Sequence, residues 1–238
     1  GFGIAIHANG LRVLRALGVE ERVLQGGLLI TALETRDAAG RTMSRISPRI
    51  PSRRIARHHL VQTLAEAAAG QGVEIRYGAE GAAAEPGGVL VTADGARWPA
   101  DLVVASDGIN SRLRDSLGLR ARRALLPDGA TRLLVRRQGL DDAAGEGAAA
   151  VETWSGSRRI IMSPVSEAET YLALSCLEAD EAGRRVPLDL PSWTAAFPHL
   201  APVLARAAAE TDWRFVRWDR FQVLRLETWS RGRVALLG

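Results

Sequence analysis

Several features that are scarce or absent in this chain of 238 residues restrict its class. It contains no lysine and a single cysteine, Cys176, so no disulfide can form within it, which is typical of a reducing cytoplasm. No apolar run approaches the roughly 20 residues that a bilayer-spanning helix needs, so we expect no membrane span. With 47% hydrophobic and 24% charged residues, the composition indicates a folded globular protein.

The charged residues argue against nucleic acid and metal ions as ligands. The 31 basic residues are all arginines, they are scattered, the formal net charge is only +4, and aromatic residues make up 5%. His58 and His59 are adjacent, and adjacent helical residues point about 100° apart. Since no further ligand stands at a suitable spacing, we predict no metal site. Cys176 lies in the strand-like segment "YLALSCLEAD" and is expected to be a packed thiol.

The first half of the chain mixes helical and strand patterns. Leu11, Leu14 and Leu17 predict a helix capped by Asn9 and ended by Gly18. A second helix is predicted to end at Gly70, with an apolar stripe formed by Leu60, Val61, Leu64, Ala65 and Ala68. The segment "VEIRY" alternates as a strand does, "GGVLVTADGARW" predicts a hairpin around Asp94-Gly95, and "DLVVAS" predicts a strand buried on both faces.

The second half reads as an inserted antiparallel sheet. Its strand-like segments are "TRLLVRR", "AAAVETW", "RRIIMSPV" and "TYLALSCL", separated by glycine, proline and acidic turns. A helical segment interrupted by Pro198 and Pro202 follows, and "TWSRGRVALLG" predicts a last buried strand. The pattern therefore predicts an α/β part, an antiparallel sheet, and a return to the α/β part.

The segment "DLVVASDGINSRLR" carries the main candidate site. A strand that ends at Asp107-Gly108 puts a carboxylate at the carboxyl edge of a sheet, where ligands of open α/β folds bind. Gly108 permits close approach to the backbone, while a helix starting near Ser111, together with Arg112 and Arg114, offers donors to an anion. Asp-Gly is also an ordinary turn sequence, so the dipeptide alone does not decide between the two interpretations.

Three segments in order extend this pattern: "GFGIAIHANGLRVLRALGV", "RHHLVQTL" and "DLVVASDGINSRLR", followed by the sheet and by "TWSRGRVALLG". Together they resemble the FAD-dependent aromatic hydroxylases, the single-component flavoprotein monooxygenases of the para-hydroxybenzoate hydroxylase type. The resemblance implies an α/β (α+β) fold with an incomplete Rossmann-like FAD-binding domain and an inserted antiparallel-sheet substrate domain. The implied division is residues 1–120 and 218–238 for FAD and residues 121–217 for the substrate.

The resemblance also implies particular cofactor contacts. Arg57 matches the arginine that starts a helix and contacts FAD, although it could be a solvated helix-start residue. Gly3 and Ile4 match the loop that approaches the isoalloxazine, although they could form a simple turn. The complete implied set of cofactor-binding residues is Gly3, Ile4, Arg57, Asp107, Gly108, Ser111, Arg114 and Gly238. No catalytic residue is implied.

Two departures from the family pattern concern the completeness of the cofactor site and of the chain. The G-x-G-x-x-G fingerprint and its ribose-binding acidic residue are absent, and no aspartate follows Gly238, the glycine of the second FAD fingerprint. The sequence also starts without methionine and stops where a strand pattern reaches a glycine. We therefore expect an internal fragment that holds part of a cofactor site.

The implied activity of the whole protein is that of a monooxygenase. FAD would be the cofactor and NAD(P)H the co-substrate, and one atom of O₂ would pass from a flavin hydroperoxide to an aromatic or phenolic small molecule. Two alternatives stay open. One is a related flavin-dependent reductase or dehydrogenase, and the other is a non-catalytic binding module that lacks FAD.

Overall fold

The computed structural model describes residues 2–49, 52–137 and 148–238. It divides into two compact units. The first unit combines Gly1–Val73 with Pro127–Phe221, and the second combines Glu74–Leu126 with Gln222–Gly238. The predicted division into FAD-binding and substrate-binding parts is a division by function, and it stays a prediction.

Short strands and helices alternate in the first part of the chain, and longer strands dominate after residue 120. In chain order they are β1 Gly3–Ile6, α1 Ala8–Ala16, α2 Glu20–Leu24, β2 Leu28–Arg36, β3 Thr42–Ile46, β4 Ser52–Ala56, α3 Arg57–Gly70, β5 Gly81–Glu85, β6 Val89–Thr92, β7 Arg97–Pro99, β8 Val103–Ala105, α4 Arg112–Ser116, β9 Ala121–Arg136, β10 Ala148–Ser155, β11 Arg158–Pro164, β12 Glu169–Leu177, α5 Leu190–Ala196, α6 Ala201–Glu210, β13 Trp218–Leu226, β14 Ser230–Arg231 and β15 Val234–Leu236. Two turns of 3₁₀-helix cover Pro198–Leu200 and Trp213–Phe215.

One large mixed sheet organises the first unit. Its strand order is β1-β4-β2-β10-β11-β12-β9-β13, with β3 paired to β2. Neighbours among β10, β11, β12 and β9 are antiparallel, as the sequence predicted. Strand β10 also pairs in parallel with β2, with Val151 opposite Glu34. The early strands and the inserted strands therefore form one sheet, which local patterns could not predict because the partners lie far apart in the sequence.

The core of the first unit lies between this sheet and the helices α5 and α6. Alternation along β12 points Leu172, Leu174 and Cys176 to the helices, and all three are fully buried. Trp193 of α5 and Leu204 of α6 fill the facing layer, and both are fully buried. Burial raises the pKa of the Cys176 thiol, so the prediction of a packed thiol is confirmed.

Two details of the early helices differ from the predictions. Helix α1 begins at Ala8, with His7 rather than Asn9 at the N-cap and no side-chain cap, while Gly18, at a φ of 69°, follows its end as predicted. In α3 the side of the helix that faces the core carries Leu60, Thr63, Leu64 and Ala67, and Val61 is exposed. This spacing of three and four residues follows the helical repeat more closely than the predicted stripe.

Two small sheets form the second unit, with strand orders β5-β6-β7 and β14-β15-β8. The predicted hairpin turns at Gly95, whose φ is 84°. Strand β15 runs parallel to β8, with Val234 opposite Val103. Ser116 of α4 accepts a hydrogen bond from the backbone of Ala84 in β5, at 2.9 Å, which fixes the short helix against the first of these sheets.

Two of the strand predictions were wrong in whole or in part. The segment "VEIRY", residues 73–77, forms no strand in the described structure, and Tyr77 is 82% exposed. Alternation alone does not make a strand, because the backbone groups also need a neighbouring strand. In β8 only the face of Val103 and Ala105 is buried, and Val104 is 49% exposed. "DLVVAS" is therefore covered on one face instead of two.

Among the described residues, no helix combines the length and the apolar character that crossing a bilayer requires.

A partly buried histidine, His199, predicts acid sensitivity of the first unit. His199 Nδ1 lies 3.2 Å from the carbonyl oxygen of Ala38, and its Nε2 is buried without a hydrogen-bond partner among the described residues. Burial lowers the pKa of His199, with Arg36 adding to this effect, whereas the Ala38 contact and Asp37 oppose it. The folded state therefore takes up a proton less readily than the unfolded state does. The contribution of His199 to the stability of the folded state should be fully present above pH ~6.5. It should be lost as the pH drops toward the lowered pKa of His199.

Urea unfolding at pH 7.5 and pH 5.5 tests this expectation. His199→Gln should reduce the difference between the two free energies of unfolding, since glutamine keeps a donor for Ala38 and does not titrate. His58→Gln, on the outer side of α3, serves as the matched control. An equal difference in all three proteins would contradict the assignment to His199.

Candidate functional site

The Asp-Gly turn, Asp107 and Gly108, follows the end of β8 and leaves its backbone open. Gly108 has a φ of 87°, a conformation that residues with a Cβ rarely adopt. A Cβ built on Gly108 would meet no atom within 4 Å, so the space beside the turn is open. Among the described residues, the hydrogen bonds of the Asp107 carboxylate are limited to a long one of 3.4 Å from the Leu113 backbone N–H. The turn therefore offers a carboxylate and an accessible backbone to a ligand.

Arg114 fixes the loop after the turn from inside the protein. Arg114 is only 7% exposed. Its Nη1 donates to the carbonyl oxygen of Ile109 at 2.8 Å, and its Nε donates to Asp115 at 2.8 Å. Sequence reasoning assigned both Arg112 and Arg114 to an anion. In the structure Arg114 shapes the site by holding its backbone, and Arg112 forms an exposed ion pair with Glu80 at 2.8 Å.

Ser111 caps the short helix α4. Its Oγ accepts a hydrogen bond from the backbone N–H of Arg114 at 2.9 Å, and the side chain is buried. This is the usual role of serine at a helix start, where backbone N–H groups lack partners within the helix. Ser111 thus acts with Arg114 to set the course of the chain between Gly108 and α4.

A cavity of about 250 Å³ lies beside the turn, entirely within the second unit. It brings together five of the eight predicted cofactor residues: Asp107, Gly108, Ser111, Arg114 and Gly238. The rest of its wall, which sequence reasoning missed, is mostly apolar and consists of Ala105, Ile109, Leu224, Leu226, Trp229, Leu236 and Leu237. These side chains were missed because an apolar residue on a strand has the same pattern whether it lines a core or a cavity.

The shape and chemistry of this cavity fit one part of FAD. Pockets for drug-sized ligands hold roughly 300–1,000 Å³, so a cavity of about 250 Å³ can take only a portion of a dinucleotide. The Asp107 carboxylate can accept hydrogen bonds from hydroxyl groups, and the open side of Gly108 lets a ligand reach the backbone. The apolar wall can cover the ligand on the other side. The carboxylate acceptor and the open glycine therefore agree with a dinucleotide cofactor.

The other three predicted cofactor residues belong to the first unit. Gly3 and Ile4 lie in β1, paired with Ala56 and Ile55, so their assignment to a loop or simple turn was wrong. A Cβ on Gly3 would lie 2.5 Å from Val165 Cγ1, so close packing also requires a glycine here, and the cofactor role of Gly3 stays a prediction. Arg57 is exposed at the start of α3, and its guanidinium carbon lies 5.5 Å from the centre of the Phe2 ring.

A second polar group, the arginine–tyrosine cluster, was not found from the sequence. It consists of Arg54, Arg132, Arg159 and Tyr171, which the structure brings together on the first unit. Burial raises the pKa of Tyr171, and the three positive charges oppose this effect. Arg132 and Arg159 each face a carboxylate, that of Asp219 at 3.9 Å and that of Glu152 at 3.0 Å, respectively.

Arg54 differs from the other arginines of the cluster. Among the described residues it forms no ion pair, and its Nε is buried without a hydrogen-bond partner. Burial lowers the pKa of Arg54. Two buried hydroxyl groups on the same face of the sheet as Tyr171, those of Ser163 and Ser175, also lack partners among the described residues. A buried N–H without a hydrogen-bond partner is costly, and an anion would satisfy it.

Histidine and acidic residues do not gather into a metal-binding group in the part of the chain that the structure describes. His59 Nε2 instead lies 3.0 Å from the carbonyl oxygen of Arg22.

The mixed sheet and the strand-turn-helix segment with its cavity define an α/β protein with a candidate ligand site at the end of a strand. More particularly, the chain belongs to the FAD binding domain family, whose model matches residues 3–238. The resemblance to FAD-dependent aromatic hydroxylases and the predicted fold class are both confirmed.

Relatives with assigned names cover the whole of this chain. The 2-heptyl-3-hydroxy-4(1H)-quinolone synthase of Mycobacteroides abscessus is 35% identical over 247 residues, which cover 100% of this chain and 64% of that protein. A probable 2-heptyl-3-hydroxy-4(1H)-quinolone synthase of Rhodococcus erythropolis, AqdB2, is 32% identical over 244 residues, 100% of this chain and 62% of that protein. The chain therefore spans slightly less than two thirds of the length of these relatives.

Solved structures also match the whole length of this chain. The tetrameric form of 2-methyl-3-hydroxypyridine-5-carboxylic acid oxygenase matches with a TM-score of 0.91 and 37% identity, over 100% of this chain and 64% of that one. HpxO of Klebsiella pneumoniae, complexed with FAD and uric acid, matches with a TM-score of 0.76 and 22% identity, over 100% of this chain and 63% of that one. At that identity the second match supports the fold alone.

Proposed function

We propose that the protein of which this chain forms the matched part is an FAD- and NAD(P)H-dependent monooxygenase that adds one oxygen atom from O₂ to an aromatic or phenolic small molecule. The observation that carries the proposal is the cavity in which Asp107, Gly108 and Gly238 meet. It fits part of a dinucleotide, and it lies in a chain of the FAD binding domain family. The single cysteine supports a reducing cytoplasm as the compartment.

The residues of this chain would bind and orient the cofactor. Asp107 would accept hydrogen bonds from cofactor hydroxyl groups, and Gly108 would let the cofactor approach the backbone. Arg114 and Ser111 would keep the turn in place through Ile109 and α4. The apolar wall formed by Leu224, Leu226, Trp229, Leu236 and Leu237 would exclude water. When bound, FAD would supply the redox chemistry by accepting electrons from NAD(P)H and activating O₂.

The arginine–tyrosine cluster supports a substrate with a negative charge on or beside its ring. Arg54 has an unpartnered buried Nε, and Tyr171 is a phenol in the field of three guanidinium groups. A carboxylate or phenolate would satisfy these donors, because charge-assisted hydrogen bonds to arginine are stronger than neutral ones. We propose that this cluster holds the substrate anion and thereby orients the ring.

Three measurements on the purified protein test the proposed function. They are retention of FAD, oxidation of NADH and of NADPH with and without O₂, and incorporation of ¹⁸O from ¹⁸O₂ into phenols or ring carboxylic acids. Label in the product supports the monooxygenase. Flavin reduction without label would favour a reductase or dehydrogenase. A protein that binds no FAD in its full-length form would be a binding module, and the proposal would be wrong.

Replacing Arg54 with methionine should separate substrate binding from stability. Arg54→Met removes a half-buried guanidinium whose Nε has no hydrogen-bond partner among the described residues, so the free energy of unfolding should stay the same or rise. Affinity for a ring carboxylate should fall roughly tenfold or more, as expected when a charge-assisted pair is lost. Isothermal titration with hydroxybenzoates and urea unfolding measure the two effects.

Arg53→Met is the matched control for this substitution. Successive side chains on β4 point to opposite faces, so Arg53 lies away from the side that Arg54 occupies. Equal losses of affinity in the two variants would show that the net positive charge of the protein, rather than the arginine–tyrosine cluster, attracts the anion.

A further inference from the structure

Two arginines hold the loop after the Asp-Gly turn from different directions. Arg114 donates from α4 to the carbonyl oxygen of Ile109. Arg123, near the start of β9, donates through Nη2 to the side-chain oxygen of Asn110, the next residue of the loop. The same guanidinium donates through Nε to Gln222 Oε1 of β13, at 2.6 Å. Arg123 therefore ties the loop to the start of β9 and to the end of β13, through residues that all belong to the second unit.

The geometry makes this tie relevant to the cofactor site. Among the described residues, the Asp107 carboxylate has one long contact, the Gly108 carbonyl oxygen accepts a hydrogen bond from the Ser111 backbone N–H at 3.0 Å, and a Cβ on Gly108 would meet nothing within 4 Å. Their position thus depends on what holds the residues that follow them. Arg114 fixes the backbone of Ile109, and Arg123 fixes the side chain of Asn110.

We propose that Arg123 is a positioning residue for the cofactor site, acting through Asn110 on the Asp-Gly turn. The expected effect of Arg123 on FAD binding rests on the proposed function. The expected effect of Arg123 on the turn rests on the hydrogen bonds alone. A guanidinium suits this task because its planar, fixed set of N–H donors can serve two acceptors at once. Arg123 touches neither Asp107 nor Gly108, so its role is indirect.

Arg123→Gln should loosen the turn. Backbone amides in residues 107–113 should exchange hydrogen about tenfold faster than in the unchanged protein, and the dissociation constant for FAD should rise roughly five- to tenfold, as the loss of one charge-assisted tie predicts. Arg123→Lys should restore part of both effects, since lysine can reach one acceptor but not present the same fork of donors. The unfolding midpoint should change little, because the side chain is exposed.

Arg122→Gln is the matched control. Arg122 is the neighbouring residue on β9, it is exposed, and it makes no hydrogen bond or ion pair within the part of the chain that the structure describes. The Arg122→Gln substitution removes one positive charge from the same strand, as Arg123→Gln does. Asn110→Leu should reproduce the effect of Arg123→Gln, and the double variant should be no worse than either single one.

The two readouts separate this inference from the proposed function. Faster exchange in Arg123→Gln and Asn110→Leu, but not in Arg122→Gln, supports the positioning role whether or not FAD binds. Unchanged exchange in Arg123→Gln overturns it, as does equal acceleration in the Arg122 control. If the unchanged protein binds no FAD, the proposed function fails, and the exchange result still decides the role of Arg123.

Discussion

Replacing Gly108 with alanine is expected to weaken FAD binding by at least about tenfold, the equivalent of about 1.4 kcal/mol. The added methyl group would project from the turn that lines the cavity, where the cofactor would approach the backbone in the proposed binding mode. Fluorescence titration of FAD measures the effect directly, because free flavin is fluorescent and binding changes its emission.

The hairpin glycine provides the matched control for this variant. Gly95 has a φ of 84°, against 87° for Gly108, and a Cβ at either position would meet no atom within 4 Å. Both substitutions should therefore cost a similar ~1–2 kcal/mol of backbone strain. Gly95 does not line the cavity, so Gly95→Ala should bind FAD normally. Equal weakening in both variants would indicate that strain alone, and not contact with the cofactor, is responsible.

Removal of the Trp193 side chain is expected to cost about 3–5 kcal/mol of the free energy of unfolding. Trp193 is fully buried, and its ring stacks on Phe197 with 5.9 Å between ring centroids. The guanidinium carbon of Arg158 lies 4.9 Å from the Trp193 ring centre, and the indole N–H donates to the carbonyl oxygen of Gly183 at 3.2 Å. Trp193→Ala would leave a large cavity between the sheet and α5. Urea unfolding followed by circular dichroism measures the loss.

Trp154→Ala provides the comparison for the core tryptophan. Trp154 is 42% exposed, and the guanidinium carbon of Arg159 lies 5.2 Å from its ring centre. We expect a loss of about 1 kcal/mol or less, as for a surface cation–π contact. Similar losses for the two tryptophans would mean that the layer between β12 and α5 is not the main core of the first unit.

Much of the fold was predictable because it depends on local patterns. Gly18, Gly70 and the Asp94-Gly95 turn mark element ends, and the alternation around Cys176 predicts a strand with one face buried. The segment "VEIRY" has an equally good alternation and forms no strand in the described structure. The difference is the presence of a partner strand, which a single segment of sequence does not contain.

The residues of the candidate site also fall into those that local patterns could predict and those that they could not. Asp107, Gly108 and Ser111 could be identified because a turn and a helix cap impose particular residue types. The apolar wall of the cavity and the arginine–tyrosine cluster could not be found, because their members come from separate strands. Arg54 in particular stands in a basic segment, "SRRIAR", that resembles a solvated surface, and its burial results from packing between distant parts of the chain.

The parallel pairing of β2 with β10 also affects how the protein is made. The residues of β2 are synthesised early, but β10 leaves the ribosome only after the whole of the second unit's first segment has been translated. Until then that side of β2 has unpaired backbone groups, which is the condition that favours association between chains. A fold with such distant contacts has a high contact order and is expected to form slowly. Its yield in cells should therefore depend on chaperones and on the rate of translation.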